Sequence, residues 1–224
     1  MKKQFIIISA AMLLVSCSAS NTRLSMYPKM YEEKPTTIVI MPPINQTNTV
    51  EAKEYFYTTM YIPLCEKGYY VFSPYLTMEM LQSESAYDSE LFLEADLTTF
   101  RDALGADAAM FTIIKSWKKN AFVGSITVGI EYVLRSTITG ETLFQREGLI
   151  SVSTQVNSGS GTLIGLAIDR IATAINTAAT EKVVAGRVCN AYVLTDLPVG
   201  KYDANYGLDG NVKVGDSYIK GTAN

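Results

Sequence analysis

The chain has 224 residues, is 48% hydrophobic, and carries 19 lysines and arginines against 22 aspartates and glutamates, enough for one domain of ordinary size with a full core. It contains no histidine, which removes His-dependent catalytic triads, cysteine–histidine pairs and every His-containing zinc site together. The formal charge of −3 also argues against nucleic acid as a partner, since the only basic group is Lys115 with Lys118 and Lys119 beside Trp117.

Met1, Lys2 and Lys3 open a mainly apolar run from Phe5 to Val15, the pattern of a secretory signal. The run is too short for a spanning helix, which needs about 20 apolar residues. The stretch Leu14-Val15-Ser16-Cys17 resembles the lipobox of bacterial lipoproteins, in which the cysteine thiol takes diacylglycerol, the signal is removed and the new N-terminus is acylated. Residues 1–16 are therefore predicted to be a signal peptide, and Cys17 the lipidated residue that makes the membrane a partner. Residues 17–33 read as a tether and extended lead-in. Ser18 follows the cysteine with no aspartate retention signal, and residues 19–22 carry no acidic run. The expected location is the outer membrane, lipid-anchored, with the domain facing the periplasm.

A single domain is expected over residues 34–190. Thr36 to Pro43 ("TTIVIMPP") is a β-rich apolar run closed by two prolines, a buried strand that must stop there. Asn48 with Glu51 suggests a helix cap. The helix after it aligns Ala52, Tyr55, Phe56, Met60 and Leu64, with Pro63 as a kink and Gly68 as the stop. "YYVFSP" is a second strand, and strand, helix, strand makes a βαβ unit. Ser73-Pro74 opens a short helix through Leu81. A further helix is predicted from Glu90 to Leu104, stopped by Gly105.

"AAMFTII" then reads as a strand ending near Trp117. "SITVGIEYVL" alternates, placing Ile126, Val128, Ile130, Tyr132 and Leu134 on one face. A turn at Thr139-Gly140-Glu141 returns the chain as a strand from Thr142 to Thr154, completing an antiparallel meander. A helix with an apolar stripe from Leu163 to Ala178 follows, and residues 191–224 are expected to form a partly ordered tail. The fold class is α/β: a three-layer-like mixed sheet with an N-terminal βαβ unit, helices, an antiparallel meander and a C-terminal helix.

No residue set points firmly to catalysis, and no metal or cofactor site is expected. Cys65 and Cys189 either pair in an oxidising compartment or rest as buried thiols. "SGSGTLIG" before a helix invites an anion-binding reading, but it lacks the strand context of a nucleotide fold. Ser116-Trp117-Lys118-Lys119 matches the serine–lysine spacing of penicillin-interacting enzymes, yet its serine ends a strand where theirs begins a helix. The polar loop with Glu84, Tyr87, Asp88 and Glu90 reads as helix capping or, with Trp117, as a partner-contact surface. Asp88 and Glu90 are the carboxylate pair that a glycan hydrolase would use. Tyr55, Phe56, Tyr57, Tyr61, Tyr69 and Tyr70 exceed what one core needs and suggest an exposed aromatic face.

The segments "MYPKMYEEKPTTIVIMPPINQTN", "CEKGYYVFSP" and "ESAYDSELF" together resemble a family of bacterial outer-membrane lipoproteins that includes a meningococcal surface antigen. The resemblance implies a fold similar to the N-terminal domain of the Tol-system propeller protein and to curli-export lipoproteins. It also implies work beside a curli-export-type lipoprotein or other envelope protein, and it supplies no catalytic residues. The expected role is a lipid-anchored accessory subunit in outer-membrane export or assembly. Rival readings are a carboxylate-dependent hydrolase and an activator of a peptidoglycan synthase, and a homo-oligomer stays open.

Cys17→Ala should give an uncleaved precursor that takes up no labelled palmitate, whereas the wild type is labelled and resists release by carbonate. Each acyl methylene buried contributes about 0.8 kcal/mol to that resistance. Equal labelling of both forms would refute the anchor.

Overall fold

A computed structural model describes residues 21–120, 122, 124–153 and 178–223. The signal, Cys17, "SGSGTLIG" and nearly all of the helix expected around 163–178 lie outside the described residues. Seven strands form one mixed sheet in the order β3-β1-β4-β5-β6-β7, with β2 also paired to β4. The βαβ unit is as expected: β1 (Thr37–Ile40), α3 (Ala52–Glu66) and β3 (Tyr70–Val71) place Thr37 opposite Tyr70 in a parallel pair. β2 (Ile44–Asn45) follows the proline stop. The meander is also as expected, with β4 (Ala108–Asn120), β5 (Ser125–Ser136) and β6 (Thr142–Ser153) antiparallel in turn.

Alternation along these strands builds two cores, one on each sheet face. Ile38, Ile40, Met110, Ile114 and the five alternating β5 residues Ile126 to Leu134 face α3 and α6 (Ala178–Val193). Val39, Met41, Phe111, Ile113 and Val133 face α4 (Pro74–Ser83) and α5 (Thr98–Leu104). β4 changes phase at a register shift between Ile114 and Ser116, which brings Trp117 round to the α3 side, edge-on to Phe56. At the same bulge the Ser116 hydroxyl accepts the Gly129 N–H at 3.1 Å. A side chain on Gly129 would come within 2.6 Å of that oxygen, so the serine is a strand-pairing element here.

Four expectations need correction. The N-cap of α3 is Glu51, with no side-chain bond. Asn45 in place of Asn48 organises the approach, accepting the Thr47 N–H and donating to the Thr49 carbonyl. The helix predicted over 90–104 is interrupted, leaving a 3-10 turn (Ser89–Phe92) and α5. Arg135 draws the carbonyls of Phe92, Leu93 and Ala95 onto its guanidinium at 2.7–3.2 Å, so those acceptors are lost to a continuous helix. Asp96 then starts α5 by accepting the Thr98 N–H.

The lead-in is folded rather than extended: α1 (Arg23–Met26) and α2 (Pro28–Glu33) bury Tyr27 and Met30, with the Tyr27 ring tilted against Phe144 at 4.7 Å between centroids. The C-terminal tail is structured too. It carries β7 (Tyr218–Ala223), parallel to β6, and buries Asp209.

Of the two states left open for the cysteines, the structure has free thiols, Cys189 buried and Cys65 half-buried. Asn190, beside Cys189, bonds the Phe56 carbonyl and the Thr59 hydroxyl on α3. Cys65 therefore lies about 9 Å or more further along that helix at 1.5 Å per residue, beyond disulfide reach.

Burial pushes the Cys189 thiol up, keeping it protonated and unreactive. In the native protein a maleimide should modify Cys65 and spare Cys189, and denaturation should expose both; intact-protein mass spectrometry reads the count.

Asp209 ties the first helix to the C-terminal loop through a buried ion pair. Its carboxylate takes Arg23 at 2.8 Å, the Val199 N–H at 2.9 Å and the Tyr31 hydroxyl at 3.1 Å. Asp209→Ala strands the buried Arg23 and should cost about 3–5 kcal/mol in urea unfolding. The double change Arg23→Met with Asp209→Leu should cost clearly less.

Candidate functional site

The residues proposed as a partner surface are divided by the fold. Glu84 ends α4, and Ser85 in the left-handed region turns the chain so that the Ala86 N–H reaches the Leu81 carbonyl. Tyr87 is exposed. Asp88 is the N-cap of the 3-10 turn, its carboxylate accepting the Glu90 N–H at 3.3 Å. Trp117 packs on the opposite sheet face against the α3 core. The structure thus holds Glu84, Tyr87, Asp88 and Glu90 in one loop and separates Trp117 from them.

The aromatic cluster divides as well. Phe56, Tyr57 and Tyr69 are buried, and the two tyrosine hydroxyls donate to the carbonyls of Pro74 and Pro198. Tyr61 and Tyr70 remain exposed. They border β3, an edge strand, together with exposed Ile62 from α3 and with Tyr75 and Leu76 from the first turn of α4. The Cys65 thiol beside Tyr61 holds its hydroxyl above the ordinary value. Tyr70 meets Phe72 edge-on at 5.4 Å. Exposed aromatic area beside unpaired strand backbone is the chemistry of a site that accepts another polypeptide. The β7 edge differs, since it carries Lys220 beside Tyr218.

A recess of about 300 Å³ lies on the sheet face shared with α5 and is lined by Ile113, Glu131, Val133, Arg135 and Gln145 among others. Glu131 and Glu147 stand directly opposite each other on β5 and β6, a repulsive placement. Lys115, set free by the bulge, bridges them at 2.9 Å to each. Gln145 donates to Glu131 at 2.6 Å, and despite partial burial Glu131 is held below the usual carboxylate range by Gln145 and Lys115. A carboxylate so held is ionised at neutral pH and unsuited to donating a proton. Among the described residues no three His, Cys, Asp or Glu side chains gather in a way that would hold a metal.

Buried charge concentrates at the end of the domain where the described chain begins. Arg146 pairs with Asp196 at 2.5 Å. Lys67 donates to the Thr195 carbonyl, which also accepts from Arg23. Desolvation, aided by Arg23, pushes Lys67 down to about 8. None of Arg23, Arg146, Asp196 or Asp209 is singled out by sequence reasoning, because each meets partners far along the chain.

The family described as "Putative lipoprotein GNA1162-like" matches residues 26–196. A curated lipoprotein of Neisseria meningitidis serogroup B is 22% identical over 184 residues, covering 81% of this chain and 85% of its own length. The crystal structure of lipoprotein GNA1162 from Neisseria meningitidis is 21% identical with a TM-score of 0.50, covering 62% of this chain and all of that one. A PelC dodecamer from Paraburkholderia phytofirmans is more distant, at 15% identity and a TM-score of 0.41 over 75% of this chain and 91% of its own. With three quarters of its length matched, this chain belongs to the GNA1162-like lipoprotein family.

Proposed function

We propose that this protein is a lipid-anchored accessory subunit of an outer-membrane export or assembly complex. Lipid on Cys17 holds the domain at the membrane, facing the periplasm, and the β3 edge receives a partner. Membership of a lipoprotein family and the lipobox support the anchor. The partner is another envelope protein, a curli-export-type lipoprotein by the resemblance of the mature segments. The observation that carries binding over catalysis is the use of the Asp88 carboxylate as a cap on the Glu90 N–H. That ties up one member of the only carboxylate pair that suggested hydrolysis, in a turn whose Asp88 and Glu90 do not line the recess beside Glu131.

Two double variants test the reading side by side in a deletion strain. Asp88→Asn with Glu90→Gln should accumulate, localise and complement, because amides keep the side-chain size and no chemistry is lost. Tyr70→Lys with Tyr75→Glu should accumulate and localise but lose the partner captured in gently crosslinked cells. A hydrolase would reverse the pattern: removing a general acid or base costs on the order of 10²-fold or more in rate, and the amide variant would behave as a stable null that still binds its partner.

A further inference from the structure

From the end of the domain where the chain emerges, we infer that the loop around Leu208 and Val212, together with Leu24 on α1, lies directly on the bilayer surface. The inference rests on the lipid anchor at Cys17 proposed above. Asn21 begins the described chain, and its carbonyl accepts the Val214 N–H, while Thr22 bridges Lys213. At ~3.5 Å per residue of extended chain, Asn21 lies within about 14 Å of Cys17. The surface surrounding Asn21 is therefore brought to the membrane by the tether itself.

That surface is apolar where a monomer's need not be. Leu208 is 78% exposed, Leu24 48% and Val212 44%. Leu24 and Val212 are fixed together at the first turn of the chain: the Arg23 N–H bonds the Val212 carbonyl at 3.0 Å, and Gly210 packs so close to Leu24 that an added side chain would meet it at 3.3 Å. Asp209, between them, is locked to Arg23, so the patch is rigid. Exposed Tyr202 and Tyr206 stand on the same loop, the residue type enriched where protein meets lipid headgroups. Lys201 and Lys213 are exposed beside them and are offset by half-buried Asp203 and exposed Asp216, so the contact rests on the apolar and tyrosine side chains. The opposite end of the sheet is the β4–β5 hairpin: Gly215 lies against Arg146, level with Thr112, and eight further residues of β4 run from there to Asn120, about 26 Å at ~3.3 Å per residue. Phe122 is exposed there and serves as the internal control.

The experiment uses the intact acylated protein, reconstituted in vesicles of phosphatidylethanolamine and phosphatidylglycerol, in a Trp117→Phe background. Single indoles are introduced by L208W, V212W or F122W, and their quenching by lipids brominated near the top of the acyl chain is measured. The expected result is loss of most of the fluorescence for L208W and V212W and none for F122W. Acylated protein in which none of the three is quenched overturns the face-on placement while leaving the anchor intact. Quenching of F122W overturns the orientation. A dimer in detergent that Leu208→Asp abolishes, with L208W unquenched in vesicles, assigns the patch to a second copy and overturns it as well. Absence of acyl mass on Cys17 would remove the anchor, and the inference with it.

Discussion

The Arg23–Asp209 ion pair is the contact on which the closure of this domain depends. Removing two charges from water is expensive, and such a pair is tolerable only when further hydrogen bonds satisfy it. Asp209 has them from Tyr31 and the Val199 backbone, and Arg23 has one from the Thr195 carbonyl. The pair joins residues 186 positions apart, fastening the first helix to the C-terminal loop. That loop in turn stops α3: the Gly200 N–H reaches the Lys67 carbonyl, and Gly200 sits where any side chain would strike the Gly68 carbonyl at 2.4 Å. β7 follows from the same loop. Without the pair, the sheet would lose its outermost strand's approach and α3 its C-terminal support.

A second constraint, the bulge after Ile114, decides how the sheet's faces are used. One extra residue in β4 leaves Lys115 on the α5 side of the sheet, beside Glu131 and Glu147, and turns Trp117 to the α3 side. The lysine neutralises two opposed glutamates that would otherwise weaken the β5–β6 pair. The recess beside them is thereby filled with an internally compensated charge network, a poor place for reactive chemistry and a reasonable one for holding a strand register.

Local pattern carried most of the fold. Alternation in β5, the proline-closed β1 and the glycine at the Thr139–Glu141 turn each report a structure decided by neighbouring residues. The failures share a cause in distance. The helix over 90–104 has the right periodicity, but Arg135, 42 residues from Leu93, takes its carbonyls. The C-terminal tail is rich in Gly, Asp, Asn and Tyr, the composition of loose chain, yet one buried aspartate orders it through an arginine near the other end. Of the candidate surface, Tyr61 and Tyr70 were legible as part of an excess of aromatics. Which tyrosines stay outside depended on where α4 begins, through the bond from Tyr57 to Pro74.

The strand directions give the domain a polarity that bears on its partner. β1, β3 and β4 rise from the end that holds Asn21, Asp209 and the C-terminal loop, and the β4–β5 hairpin marks the far end. On the proposed anchoring at Cys17 the strands would stand away from the bilayer, and the β3 edge, with Tyr61, Tyr70 and Tyr75, would face sideways. A polypeptide pairing with that edge would run alongside the domain, roughly parallel to the membrane normal. The geometry favours a neighbour tethered in the same leaflet over one diffusing freely, because two anchors confine both edges to one plane and one height. On that proposal effective concentration would do much of the work of affinity, and a strand of two residues bordered by a few exposed tyrosines would serve where in free solution it would be too small an interface to hold.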